Sequence, residues 1–400
     1  RRLHVHAAPM SARAAAVLLA LGLATPARAQ TNDHLFRSWR WTTDSTSPRA
    51  AGLAGAMTAV ADDVSAALHN PAGLAGLTKS ELAASVLSRR PGEAAPGDTL
   101  AARTGIGFAG VAARIGSRLV VAGTLAEGHA RRVRLDPARA LPDGVPESGA
   151  CEAIVTDMGL AAGWQLTPRV HLGARVARSR LALEGELSRE PEGGPVELRV
   201  AASGEAARIS SALGVVVQPL RRLKLAATAA SGVRWRLTRT AVSPLLGSVL
   251  DPGSGFDVRQ PAVISAGVSV EPSLKLRLSA QVDRVRYGEI RSSLVIGQGA
   301  HRRQDYALDD AWEPRLGVEV SFPRRVSSLQ LRGGVHWRAG GALRYAGENA
   351  LERAAFAGAE RQVVAAAGAS LVTARWLRLD LAVQLAGERS QALAGLAGRF

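Results

Sequence analysis

Asp62 and Asp63 are adjacent carboxylates with His69 and Asn70 close behind them, the nearest this 400-residue chain comes to a constellation that could bind a cation or move a proton. His69, His171 and His336 are scattered, with no Ser or Asp at triad spacing and no second metal ligand near them, so neither hydrolysis nor metal chemistry has a basis. Cys151 is the only cysteine, which excludes an intramolecular disulfide and a cysteine-based metal cage. Gly105-x-Gly107-x-x-Gly110 spells a dinucleotide fingerprint, yet it sits inside an alternating strand pattern with no helix after it. Those glycines read instead as places for a bulge, a kink or a close approach of backbone. The residues thus describe no enzyme, and they imply no cofactor and no metal.

The carboxylates belong to a stretch unlike the rest of the chain, AAGLAGAMTAVADDVSAALHNPAGLAGL over residues 50–77. From Ala56 to Leu68 the residues Met57, Val60, Ala61, Val64 and Leu68 recur at spacings of three and four, which predicts one short amphipathic helix. Asn70-Pro71 must end it, because proline lacks an amide hydrogen and disfavours helix in the residue before it. The Asn70 side chain is then free to bond nearby backbone.

This stretch resembles the N-terminal hatch of the FadL/TodX family of outer-membrane transporters for fatty acids and aromatic hydrocarbons. The matching residues are Asn70, Pro71 and Ala72, preceded by Ala61, Asp62, Asp63, Ser65 and Ala66; the family's Gly-Met-Gly-Gly run stands here as Gly52-Leu53-Ala54-Gly55. The resemblance implies a hatch over residues 30–79 that plugs a 14-stranded barrel over residues 80–400, with Asn70, Pro71, Ala72, Asp62 and Asp63 as hatch and gating residues. It also implies a kink in the third strand that opens the lumen sideways into the membrane, for which Gly123 and Gly128 are the candidates. A similar NPAG-like sequence occurs in barrels resembling the PorV-type components of protein secretion systems, and that is the alternative function.

Composition fits such a barrel. After residue 29 there is no uncharged apolar run of 18 residues, so no ordinary transmembrane helix is expected. Mean hydropathy is nevertheless +0.05 with 47% hydrophobic residues, as alternation of a lipid face with a polar lumen face produces. Net charge is +16, and residues 1–29 hold four arginines and no acids, which leaves +12 beyond them. Lys79, Lys224 and Lys275 are the only lysines. The arginines are spread singly along strands rather than clustered with aromatics, which argues against nucleic acid and for a charged lumen or contact with lipopolysaccharide phosphates. Asp62-Asp63 then reads as a fold-stabilising pair met by helix amides or lumen arginines, since an unpaired carboxylate there would be costly.

Residues 1–29 read as an export signal with an upstream extension before Met10: Arg13, an apolar run from Ala14 to Ala24, and Ala27-Arg28-Ala29 before Gln30. From residue 80 to the end, fourteen segments alternate with period two. In the seventh, over 221–239, Leu223, Leu225, Ala227, Ala229, Val233, Trp235 and Leu237 share one face, with Lys224, Thr228, Arg234, Arg236 and Thr238 on the other. Short turns such as Gly116-Ser117 and Thr167-Pro168 follow every second segment. Long polar links such as 132–150, 189–205 and 241–256 lie between them. That asymmetry is the pattern of an outer-membrane barrel with tight periplasmic turns and large outer loops. Phe400 supplies the terminal aromatic that resembles the signal read by the barrel-insertion machinery. Aromatics are only 4%, and Trp164, Trp235, Trp337 and Trp376 are the candidates for a thin interfacial girdle. The expectation is a monomeric all-β transmembrane barrel for passive passage of hydrophobic small molecules.

Overall fold

The computed structural model describes residues 40–42, 44–95, 98–135, 147–189, 198–238, 240–243, 247–249, 255–294, 303–373, 376–387 and 389–400. The export-signal segment and residues 30–39 of the hatch region lie outside them.

Fourteen strands close into one antiparallel barrel: β1 (Glu81–Arg89), β2 (Arg103–Ile115), β3 (Leu119–Leu135), β4 (Glu147–Thr167), β5 (Val170–Arg189), β6 (Leu198–Leu220) and β7 (Leu223–Ala230) form the first half. β8 (Val263–Ser273), β9 (Leu276–Val285), β10 (Ala311–Pro323), β11 (Ser327–Arg338), β12 (Gln362–Thr373), β13 (Leu377–Leu385) and β14 (Ser390–Arg399) form the second. Each strand pairs with its sequence neighbour, and β14 closes on β1 from Glu81–Arg399 to Arg89–Gln391. Closure removes the free edges that lipid could not satisfy.

Alternation sets the two faces. On β10, Trp312, Leu316 and Val318 face outward while Glu313, Arg315 and Glu319 are buried within. On β13, Leu379, Leu381, Val383 and Leu385 face outward opposite buried Asp380 and Gln384. The short turns cluster at one end, where Gly116, between β2 and β3, takes the left-handed conformation (φ 64°) that a side chain would resist. No described helix is long and apolar enough to cross a membrane; the wall crosses with strands.

The seventh segment departs from expectation. β7 stops at Ala230, and Val233–Thr238 turns inward to pair with Gly255–Gln260, so Trp235 is fully buried rather than part of a girdle. Past the bilayer there is no lipid for an apolar face, so Val233, Trp235 and Leu237 can be buried only by folding inward. Trp164 and Trp376 near the short turns, and Trp312 and Trp337 near the loops, stay exposed on the outside. The link expected over 189–205 is also shorter, because β5 and β6 run on as a tall hairpin between Arg189 and Leu198. On β5 the outward face changes early: Leu172, Ala174 and Val176 are followed by exposed Arg178, Arg180, Glu184 and Glu186.

Inside the bore the helix expected over Ala56–Leu68 does not form. The chain makes α1 (Pro48–Gly52), a reversal at Ala54 and Gly55 with φ of 52° and 81°, a series of turns, and α2 (Ala66–His69). Asp63 supplies an alternative to helix by accepting from Ser65 N and Oγ.

Candidate functional site

The plug is built around Asn70. It caps the 3-10 helix Pro71–Gly76 by accepting from Ala72 N at 3.1 Å, and it donates to Thr58 O at 2.9 Å and to Val215 O on the wall at 3.3 Å. Pro71 suits the first helical position, which has no amide to satisfy. This turn lies against Gly163, Gly173 and Gly214, which stand side by side on β4, β5 and β6 in direct register. A methyl on Gly163 would fall 2.6 Å from Ala75 N, and methyls on Gly173 and Gly214 would overlap Ala72 N and Asn70 Oδ1. Asn70, Pro71 and Ala72 are therefore wedged against bare backbone and wholly buried.

Asp62 and Asp63 face arginines. Arg49 of α1 is bonded to Asp62, lies 3.2 Å from Asp63, and grips Glu319 of β10 with two N–H groups at 3.1 Å. Arg277 joins Asp62 at 3.0 Å, and Arg378 reaches Asp63 and Glu81 at 3.5 Å. Arg332 and Arg399 extend the network to Glu319, Asp380 and Glu81. The fold-stabilising reading of the acidic pair thus has its lumen arginines, plus Arg49 from the plug itself, which nothing in the local sequence marks out. A polar cavity of about 320 Å³ opens beside the network, bordered by Lys79 and Arg399.

Burial alone would raise the Asp62 and Asp63 carboxyls, but Arg49 with Arg277 holds Asp62 well below the usual range, and Arg49 with Arg378 holds Asp63 at about 2. His69, buried beside them, is pushed from 6.5 down to about 4, chiefly by that burial. Both shifts have one sign. As pH falls from 6.5 toward 4, a released His69 takes a proton that the docked one refuses; from 3.8 toward 2, a released Asp63 does the same. Docking is fully favoured above about pH 6.5 and weakens below it. Conductance of bilayers holding the barrel should accordingly rise on acidification from pH 7 to 3; a flat profile would show that these groups do not hold the plug.

Above the plug lies an aromatic chamber filled by its own packed side chains. All three tyrosines of the chain, Tyr287, Tyr306 and Tyr345, gather there with Trp41, Trp235, Phe256 and Phe356, from the segments between the loop-side strand ends. Tyr306 meets Tyr345 and Phe356 edge-on, each at 5.1 Å. Glu313 lies at the chamber's edge, wholly buried, and accepts from Tyr287 Oη at 2.7 Å, His336 Nε2 at 2.9 Å and Ala339 N at 3.1 Å. Arg315, two residues on, donates to Asp283 and to the carbonyl of Ala54 in the plug. His336 is a structural partner of Glu313, Cys151 on β4 packs against the aromatic cluster, and His171 sits apart on β5.

The wall is interrupted beside this chamber. β2 and β3 pair from Ile115–Leu119 only as far as Phe108–Ala126, and Arg103–Ile106 then pair with β1 alone. β3 meets chain again where Thr99 and Leu100 pair with Arg134 and Val133. Between those points β3 carries an extra residue, Gly128, bulged out against β4, whereas the ladder is continuous through Gly123. Glu127 stands at the gap, bonded to Arg89 and, at 2.9 Å, to Arg103. Gly107 is likewise the bulged residue opposite β1, and a methyl on Gly110 would fall 2.5 Å from the Phe108 ring and 3.1 Å from Val64 of the plug, so the apparent dinucleotide fingerprint serves a bulge and close packing.

No family model and no curated protein matches this sequence. Solved structures do. The toluene transporter TbuX of Ralstonia pickettii superposes with a TM-score of 0.67 at 14% identity, covering 90% of this chain and 99% of that one. A Pseudomonas aeruginosa FadL homologue gives 0.64 at 13%, covering 90% and 99%. The Pseudomonas putida toluene transporter TodX gives 0.56 at 13%, covering 84% and 93%. The likeness is one of fold, and by it this chain is a plugged, 14-stranded membrane barrel of the FadL/TodX architecture.

Proposed function

We propose that the barrel carries hydrophobic small molecules passively across the outer membrane, with the aromatic chamber, once its packed side chains part, as its receiving site. A solute would bind there, leave sideways through the gap between β2 and β3 at Gly128, and be kept from the periplasm by the plug centred on Asn70, Pro71, Ala72, Asp62 and Asp63. The observation that carries this reading is the chamber itself. The inside of a membrane barrel is ordinarily polar, and here it holds every tyrosine of an aromatic-poor chain. Affinity would come from apolar burial, roughly 25 cal/mol per Å² before losses, and no energy source is involved. The substrates named for TbuX and TodX are of the matching chemical kind.

The test is uptake of a labelled alkylbenzene by cells with an intact lipopolysaccharide leaflet, with and without this protein. Faster uptake supports the reading, and equal uptake overturns it. Asn70→Ala strips partners from Ala72 N, Thr58 O and Val215 O, at a cost of about 1–3 kcal/mol. If the plug gates passage, uptake should change while the barrel still assembles.

A further inference from the structure

The charges at the two ends of the barrel are arranged differently. At the loop end, exposed arginines have carboxylate partners: Arg180 with Glu205, Arg234 with Asp257, Arg284 with Asp310 and Arg286 with Glu289. The short turns differ. Arg118 lies between β2 and β3, Arg169 between β4 and β5, and Arg221 with Arg222 between β6 and β7. Lys275 lies between β8 and β9, and Arg324 with Arg325 between β10 and β11. All are exposed, and none of these turns contains an acid. The flanking Glu271 is already taken by Arg277 at 2.7 Å. Arg118, Arg169, Arg221, Lys275 and Arg324 form no ion pair among the described residues. Arg222 donates to the Pro272 carbonyl of the next turn at 2.9 Å.

Two features identify what faces this collar. Sequential strands are neighbours in the wall, so turns after every second strand are spaced around the perimeter, and the cations encircle the barrel. A soluble acidic partner would meet one sector of such a ring, whereas a lipid leaflet meets all of it. The same turns also display apolar side chains: Leu220 beside Arg221, Leu274 beside Lys275 and Val326 beside Arg325, with Leu274 94% exposed. Apolar surface so displayed is unfavourable in water. Set beside cations, it is the composition of a segment lying between acyl chains and headgroups. The outward apolar face of the wall reaches the same level at Phe322, Leu329 and Trp376. Guanidinium forks match phosphate in geometry as well as charge.

We propose that this collar binds anionic glycerophospholipids of the periplasmic leaflet, of the phosphatidylglycerol kind, with their phosphates on the turn arginines and their acyl chains against Leu220, Leu274 and Val326. The proposal needs the membrane barrel but not the transport reading. A headgroup that carries its own ammonium already neutralises its phosphate, so the collar selects the headgroup that lacks one. Repulsion among the collar's cations falls when such anions lie between them. The bound lipids then hold the turns at headgroup depth.

The test offers the detergent-solubilised full chain equal amounts of phosphatidylglycerol and phosphatidylethanolamine with matched acyl chains, repurifies it, and measures the ratio of the two lipids retained. Phosphatidylglycerol should be favoured about fivefold, the factor one basic residue gains at an anionic surface. Salt at about 1 M, where the screening length is about 3 Å, should bring the ratio close to one without touching the fold. Arg221→Gln, Arg222→Gln, Arg324→Gln and Arg325→Gln together should do the same at low salt. The loop-side pair Arg178→Gln and Arg208→Gln should keep the preference. Heat-modifiable migration establishes that each variant is folded. If the fourfold variant fails to assemble, Arg118→Gln with Lys275→Gln decides, and should about halve the preference. A ratio near one for the unaltered chain at low salt would overturn the proposal and leave the collar to a soluble partner. A preference that survives the turn substitutions would overturn it too, by placing the lipid elsewhere on the wall.

Discussion

Gly173→Val should turn the plugged barrel into a leaking one. The new side chain would occupy the space of Ala72 N and the Pro71 carbonyl carbon, backbone atoms of a proline-started turn that Asn70 ties to the wall. Overpacking at an ordinary site costs about 1–3 kcal/mol, which alone would raise the undocked fraction by about fivefold or more. Here the neighbour is backbone on both sides, so relief requires the plug to move. The strand itself has no reason to fail, because valine suits β structure. Ion conductance in planar bilayers should therefore rise while heat-modifiable migration is retained. Gly123→Ala is the matched control, since its added methyl would have Leu160 and Val111 no nearer than 3.9 Å on the lipid face. Equal conductance in the two variants would mean that the row of glycines is not what seats the plug.

Arg49→Met should have the second large effect. Arg49 is the cation that Asp62, Asp63 and Glu319 share, and its side chain is 6% exposed. Removing one member of a buried ionic group strands the others, at about 3–5 kcal/mol. Arg277, Arg332 and Arg378 remain to moderate the loss, so the expected state is an assembled barrel with a displaced plug and a lower melting temperature. Adding Asp62→Asn to Arg49→Met should recover part of that stability, because one charge goes with the cation while Glu319 keeps Arg277 and Arg332 and Asp63 keeps Arg378. Failure of the double variant to recover would show that the packing of α1, rather than charge, is what Arg49 maintains.

The parts legible in the sequence were those where local pattern and surroundings say the same thing. β13 could be read from Leu379, Leu381 and Val383 opposing Arg378, Asp380 and Gln384, because lipid lies on one side and the bore on the other over its whole length. Asn70-Pro71 could be read because its chemistry is local. Trp235 misled for a physical reason: alternation records that a strand has two faces, not which solvent each one meets, and beyond the bilayer the apolar face changes sides. The seat of the plug was hidden because Gly163, Gly173 and Gly214 become neighbours only through strand register. The chamber was hidden for a similar reason, its aromatics arriving one at a time from separate connections. Arg49 carries no mark in the sequence that sets it apart from other arginines; only its seat between Asp62 and Glu319 does.

The early change from Val176 to Arg178 on the outer face of β5 bears on how the barrel sits among lipids. On β13 the greasy face continues to Leu385, whereas on β5 it ends beside Met158 and Ile209, the exposed apolar partners of Arg178 on β4 and β6. Acyl chains cannot solvate guanidinium groups, so the hydrocarbon layer beside β5 must end near Arg178, and any mismatch with the rest of the wall costs a fraction of a kcal/mol per Å. That is the flank with the break at Gly128. A molecule emerging there would meet acyl chains close to their upper limit, beside the outward arginines of β5.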